Sequence, residues 1–217
     1  MAAKSKSSIW SGYHEIRKVF AEVRTMKSVK IFLGAFFVYT MGVQTVIYVA
    51  ALFGKDVLLL KSEEMLTTIL LLQLIGIAGA YFFAFLADRI GNKAAIFVSL
   101  IIWTIACSLA FKLEPRHPEQ FFALACLIGT VMGGIQSLSR ATYAKLIPGD
   151  RDNTSYFSFF EVTEKLGIVL GTFAWAAIDN VTGDMRNSIL SLMVFFFIGM
   201  GILYFLPTDK LQPSKKK

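Results

Sequence analysis

The chain has 217 residues, 55% of them hydrophobic and 14% aromatic, with a mean hydropathy of +0.60, which is more apolar than a soluble domain needs for its core. Its formal charge of +7, from 22 basic and 15 acidic residues, gathers at the ends of apolar stretches rather than on a basic stripe with stacking aromatics, which excludes nucleic-acid binding. Only two cysteines occur, Cys107 and Cys126, both inside apolar stretches and equally far from the loop between them; a disulfide is open to them, and buried free thiols are the simpler reading.

Residues 1–8 read as a disordered Lys/Ser-rich tail, and no cleavable signal segment is expected ahead of the first span. Over 9–27, Ile9, Tyr13, Ile16, Phe20 and Val23 recur at three- and four-residue steps, while Glu15, Lys18, Glu22 and Arg24 lie elsewhere on the wheel. With Trp10 and several cations beside it, this predicts an amphipathic helix lying on the membrane surface; a helix packed on a neighbouring chain is the alternative. Six apolar stretches follow near 30–53, 63–86, 94–111, 119–146, 154–178 and 188–206, each close to the ~20 residues that cross a bilayer core. The expected fold is therefore all-α: a polytopic membrane protein whose six-helix transmembrane domain occupies 28–206, ahead of a basic tail at 207–217.

Lysine and arginine fix the expected topology. If both termini share a side, that side holds 16 of them against 5 on the other, with Lys165 inside a span. Positive charge concentrates in the cytoplasm, so both termini are expected there, with a bacterial inner membrane as the location.

Spans three and six hold little beyond aliphatic, aromatic and small residues and read as lipid-facing supports. Spans one, four and five carry polar faces: Thr40, Gln44 and Tyr48 on the first, Gln136, Arg140 and Tyr143 on the fourth, Ser158, Glu161, Lys165 and Thr172 on the fifth. Spans four and five run antiparallel through the turn at 148–153, so Arg140 should match Glu161 in depth and Gln136 should match Lys165. At 1.5 Å rise per residue the first pair lies roughly 10 Å inside the boundary and the second roughly 16 Å. Glu161 and Lys165 also stand in the favourable i, i+4 order, and Glu164 either joins the cluster or faces a neighbour. Ionisable side chains so deep usually face a bundle interior or a water-filled path. A substrate or coupling-ion site built from Gln44, Gln136, Arg140, Glu161, Glu164 and Lys165 is the expectation; a structural ion-pair network is the alternative.

Between spans two and three the chain reads Ala84-Phe85-Leu86-Ala87-Asp88-Arg89-Ile90-Gly91-Asn92-Lys93. Gly91 permits a tight turn, and Asp88 can accept from backbone N–H groups at a helix N-terminus. The stretch resembles the loop signature G-x-L-A-D-R-x-G-R-K of the major facilitator superfamily at Leu86, Ala87, Asp88, Arg89, Gly91 and Lys93, with Ala84 for the leading Gly and Asn92 for a basic residue. Gly133-Gly134-Ile135-Gln136-Ser137-Leu138-Ser139-Arg140, then Ala144-Lys145-Leu146-Ile147-Pro148, is similar to one branch of that superfamily. Tyr156-Phe157-Ser158-Phe159-Phe160-Glu161-Val162, followed by Lys165 and Gly171, is similar to the same branch, although Ser158, Phe160 and Thr172 replace its usual Gly, Tyr and Pro. That branch is related to the vacuolar amino-acid effluxers of autophagy and includes bacterial members.

The resemblance covers about residues 28–206 and is to the second six-helix half of such transporters. It implies a secondary-active permease half for a small polar metabolite, with amino acids as one class, working by alternating access after pairing with another six-helix half. The half could be a separate chain or a second copy of this one. It also implies that the Asp88, Arg89, Gly91, Lys93 loop braces a helix of the first half. Proton or sodium coupling is left open, and no cofactor or metal is expected. A non-transporting membrane interaction protein, or a truncated permease, is the alternative. An enzyme is not expected: the loops are short, His14 and His117 fall in opposite compartments, and no nucleophile–base set, metal spacing or phosphate-cradling loop is present.

Overall fold

The computed structural model describes residues 9–147 and 153–207, with side chains from Arg17 onward apart from that of Asn153. The expected tails, the turn at 148–152, and the side chains of Ile9, Trp10, Tyr13, His14, Glu15 and Ile16 lie outside the described residues. Among the described residues the fold is all-α. Helix α1 (Ile9–Thr25) is followed by α2 (Lys27–Leu52), which runs on into a π-helical turn at Phe53–Val57. Then come α3 (Ser62–Ile90), α4 (Asn92–Phe111), α5 (Pro118–Leu146), α6 (Asn153–Thr182), α7 (Met185–Ser191) and α8 (Met193–Tyr204).

Five stretches are long and apolar enough to cross a membrane: α2 with its π turn, α3, α4, α5, and α7 with α8 taken together. The 30-residue α6 has the length, but Glu161, Glu164 and Lys165 interrupt its apolar run. The last span is not the single helix that the sequence predicts over 188–206. Ser191 donates its hydroxyl to the Ser188 carbonyl at 2.6 Å, and Leu192 N–H bonds Ile189 rather than the carbonyl four residues back. That tighter turn divides the span into α7 and α8.

The most extensive helix contact is α3 on α5; α2 packs about equally on α8 and α6, and α4 packs on α5. The α3–α5 contact relies on missing side chains. A Cβ at Gly133 would overlap the Gly76 carbonyl, and one at Gly79 would overlap the backbone of Thr130. Small residues allow such backbone approach between membrane helices, where packing replaces the hydrophobic effect as the driving force.

The two outer helices brace each other end to end. The chain turns into α4 through Gly91 at φ 86° and into α7 through Gly183 at φ 63°, backbone conformations that favour glycine. Just beyond the first turn, Lys93 Nζ donates to the carbonyls of Tyr204 and Leu206 at the end of α8, at 2.8 and 2.7 Å. Just beyond the second, Arg186 donates to the carbonyls of Phe111 and Leu113 at the end of α4, both at 2.6 Å. Each helix thus supplies the cation that satisfies the other's orphan carbonyls. Between these caps α4 buries Ile96, Leu100, Trp103 and Cys107 and turns Ile101, Ile105 and Leu109 outward, so it is core as well as lipid-facing support. Cys107 and Cys126 are free thiols.

Helix α1 forms where the sequence predicts an amphipathic helix, and part of it packs on the bundle. Val19 and Val23 are buried where it packs on α2 and α6, Phe20 lies 6.1 Å from Phe159, and Tyr156 Oη donates to Glu22 at 2.6 Å. Among the described side chains of α1, Val19 and Val23 seat on its own bundle while Phe20 stays half exposed.

Gly133→Leu should break the α3–α5 contact, because backbone cannot yield as a flexible side chain does. A loss of about 3 kcal/mol is expected, read as a lowered thermal midpoint in detergent. Gly201→Ala, where a Cβ meets nothing within 4 Å, should change nothing. Equal behaviour of the two variants would contradict the close packing.

Candidate substrate cavity

Three helices supply the site. One face of α2 brings Phe36, Tyr39, Thr40, Val43 and Gln44 inward, α5 brings Ile135, Gln136, Ser139 and Arg140, and α6 brings Phe160 and Glu164. They enclose a cavity of about 50 Å³, room for a few waters. Farther along α2 and α5, a separate apolar hollow of about 260 Å³ is formed with α3 and lined by Ile47, Ala50, Met65, Leu72, Phe121 and Met132 among others.

Four expected site residues, Gln44, Gln136, Arg140 and Glu164, line this cavity together. Glu164 answers the question that the sequence leaves open, since it turns to α2 and accepts from Gln44 Nε2 at 3.0 Å. Glu161 meets Arg140 as its depth predicts, at 3.5 Å, but from beside the cavity rather than within it. Lys165 is exposed and does not line it, and the depth match with Gln136 produces no contact. Tyr48, Ser158 and Thr172 are exposed as well.

The predicted face of α6, through Ser158, Glu161, Lys165 and Thr172, is therefore displaced from the observed one. The cause is the α2–α6 contact. Gly167 sits against the Phe37 carbonyl and Thr40, and Gly171 against Met41 and Thr45. Phe160, Glu164, Gly167 and Gly171, at steps of four, three and four, are the side that closes on α2. The backbones of α5 and α6, though consecutive, scarcely approach each other.

Sequence reasoning missed Tyr39, Ser139, Phe36 and Phe160. Ser139 donates to the Ile135 carbonyl at 2.6 Å, so the 2.7 Å bond between Tyr39 and Ser139 has the tyrosine as donor. Tyr39 Oη then keeps its lone pairs for the cavity. Beneath lies an aromatic floor: Phe36 on Phe160 at 4.1 Å, Phe160 on Tyr143 at 5.1 Å, and Tyr143 near Phe32 at 6.4 Å. Tyr143 Oη donates to the Tyr156 carbonyl at 3.0 Å, tying the floor to the start of α6. The signal was present in the three- and four-residue steps of Phe36, Tyr39, Thr40, Val43 and Gln44.

The Arg140 and Glu161 side chains are 54% and 55% exposed, and the guanidinium lies 6.0 Å from the Phe160 ring centre. In water such a pair contributes about 0–1 kcal/mol. Enclosed, it becomes strongly dependent on having both partners. Its worth is set by what covers the open side.

The loop motif divides in two. Gly91 and Lys93 serve the fold as described above. Asn92, standing where the signature has a basic residue, is buried: it donates to Thr142 at 3.1 Å and accepts from Lys145 at 2.8 Å. Asp88 and Arg89 are exposed. Asp88 makes no hydrogen bond or ion pair among the described residues, so the expected acceptance from a helix N-terminus is not realised, and Arg89 lies 4.3 Å over Phe85. No group of three or more His, Cys, Asp or Glu that could hold a metal occurs among the described residues.

The family described as vacuole effluxer Atg22 like matches residues 2–216. An uncharacterized MFS-type transporter YxiO of Bacillus subtilis is 29% identical over 206 residues, covering 95% of this chain and 47% of the relative. Autophagy-related protein 22-1 of Penicillium rubens is 25% identical over 224 residues, covering 93% and 37%. Autophagy-related protein 22 of Eremothecium gossypii is 26% identical over 204 residues, covering 89% and 40%. The chain spans about half the length, or less, of these relatives.

Gln44→Leu should leave the Glu164 carboxylate without its donor and cost about 2 kcal/mol, the usual scale for a hydrogen bond to a charged group. The double variant Gln44→Leu/Glu164→Leu should recover most of that loss, since no unpaired charge is left. Thermal unfolding in detergent measures both. An inert Gln44→Leu would mean the 3.0 Å bond does no structural work.

Proposed function

The chain belongs to the vacuole effluxer Atg22-like family, and from that premise we propose that it forms one six-helix half of a secondary-active transporter for a small polar metabolite. The observation that carries this reading is the wall of Gln44, Gln136, Arg140 and Glu164. It sets a cation and an anion on different helices around a space of about 50 Å³, whereas small-molecule sites usually enclose about 300–1,000 Å³. A facing half would complete such a site, and rocking of one half against the other would give alternating access. The partner is a separate six-helix chain or a second copy in a parallel two-fold pair.

In this reading a zwitterion such as an amino acid presents its carboxylate to Arg140 and its ammonium to Glu164 and the Tyr39 lone pair, with the apolar hollow beside them taking its side chain. Glu164 doubles as the carrier of a coupling proton, with sodium the alternative ion. Both termini lie in the cytoplasm, on the strength of the 16 to 5 division of lysine and arginine. The Bacillus subtilis relative supports a bacterial inner membrane as the setting.

Counterflow of labelled amino acids into proteoliposomes holding the purified assembly tests the reading. Arg140→Gln and Glu164→Gln should each lower flux roughly 10- to 100-fold, the worth of one charge-assisted hydrogen bond, with folding preserved. Undiminished flux in both variants sinks the site assignment. Loss of a bound partner with no flux in any form would instead favour a non-transporting interaction protein.

A further inference from the structure

The cationic side of α1 and its elbow into α2 plays no part in the cavity. Val19 and Val23, buried on α2 and α6, fix the rotation of α1. Glu22 is drawn inward to Tyr156. At 100° per residue, Arg17, Lys18 and Arg24 then fall within about 120° of arc on the opposite side of the helix. All three are exposed, as are Lys27 and Lys30 in the first turn of α2. None of the five side chains makes an ion pair or hydrogen bond among the described residues.

Their height follows from the chain. The unbroken apolar run of α2 starts at Ile31, so at 1.5 Å per residue Lys27 and Lys30 stand within about 6 Å of entry into the apolar layer. That is headgroup depth, where long cationic side chains lay their stems on apolar surface and keep their charges at the interface. We propose that Arg24, Lys27 and Lys30, flanked by Arg17 and Lys18, form a docking surface for the phosphate groups of anionic phospholipids in the adjoining leaflet.

An acidic protein segment fits less well. Protein interfaces build their cores from aromatic and other apolar residues and are depleted in lysine; among the described side chains of α1, Phe20, already against Phe159, is the one large apolar group exposed. With Val19 and Val23 turned onto the bundle, Arg17, Lys18 and Arg24 are left on the side of α1 that faces away from it. The helix is tied to α6 through Glu22 and Tyr156, so the lipids would brace the end of α6 that leads to Glu161 and Glu164.

Native mass spectrometry of the intact protein, titrated with phosphatidylglycerol or phosphatidylcholine of matched acyl chains, tests the proposal. The parent protein should prefer phosphatidylglycerol. R24Q/K27Q/K30Q should weaken that binding roughly a hundredfold, at about a factor of five per cation lost, to the level of phosphatidylcholine. The charge-retaining R24K/K27R/K30R should keep it, as should K55Q/K61Q/K112Q, which removes three cations from the opposite end. Millimolar inorganic phosphate should leave the lipid bound. The proposal is overturned if the parent shows no preference, if the first triple variant keeps it, if the opposite-end variant loses it equally, or if free phosphate displaces the lipid. It is also overturned if an acidic polypeptide is lost from R24Q/K27Q/K30Q while phosphatidylglycerol binding is unchanged.

Discussion

Carboxylates and a guanidinium held at membrane depth are the costliest groups this bundle has to place. Each such group costs several kcal/mol unless paired or solvated, and α6 carries three ionisable groups within five residues. The chain meets that cost by distributing them. Glu164 goes inward to Gln44, Glu161 goes sideways to Arg140, and Lys165 stays on the outside of the unit. The distribution follows from the glycines at 167 and 171, which bring α6 onto α2 and so decide which side of the helix faces the cavity. A packing choice made two turns away sets the electrostatics of the site.

The surrounding scaffold is rigid where the site is open. The α3–α5 glycine contact leaves no slack, and the reciprocal caps by Lys93 and Arg186 lock the ends of α4, α7 and α8. The aromatic floor of Phe36, Phe160 and Tyr143 closes one end of the cavity with apolar surface, so polar access runs through the side where Arg140 and Glu161 are exposed. That division, a braced periphery around an open polar face, suits a body that moves as a unit against another.

Five of the six expected spans were legible because apolar length is a coarse property that tertiary contacts do not alter; α6 has the length without the unbroken apolar run, and the last span breaks at Leu192, where Ser191 competes for a helical carbonyl. Depth was legible for the same reason, and it found Arg140 with Glu161. Rotation was not. A polar stripe on α6 marks two candidate sides, and only the fit of Gly167 and Gly171 against α2 chooses between them. Tyr39, Phe36 and Phe160 escaped notice because an aromatic residue lining a cavity looks, in sequence, like one facing lipid. The motif loop showed the same limit: Gly91 announced its turn, whereas the buried role of Asn92 depends on Thr142 and Lys145, 50 and 53 residues away.

The open face of α2, α5 and α6 gives the account its central claim, that this unit completes its polar site against a second six-helix body. Gentle extraction from the native membrane, followed by native mass spectrometry, tests this most directly. The 24.1 kDa chain should emerge with one stoichiometric partner, either a second copy or another six-helix chain. A stable solitary monomer that binds and transports substrate would contradict it.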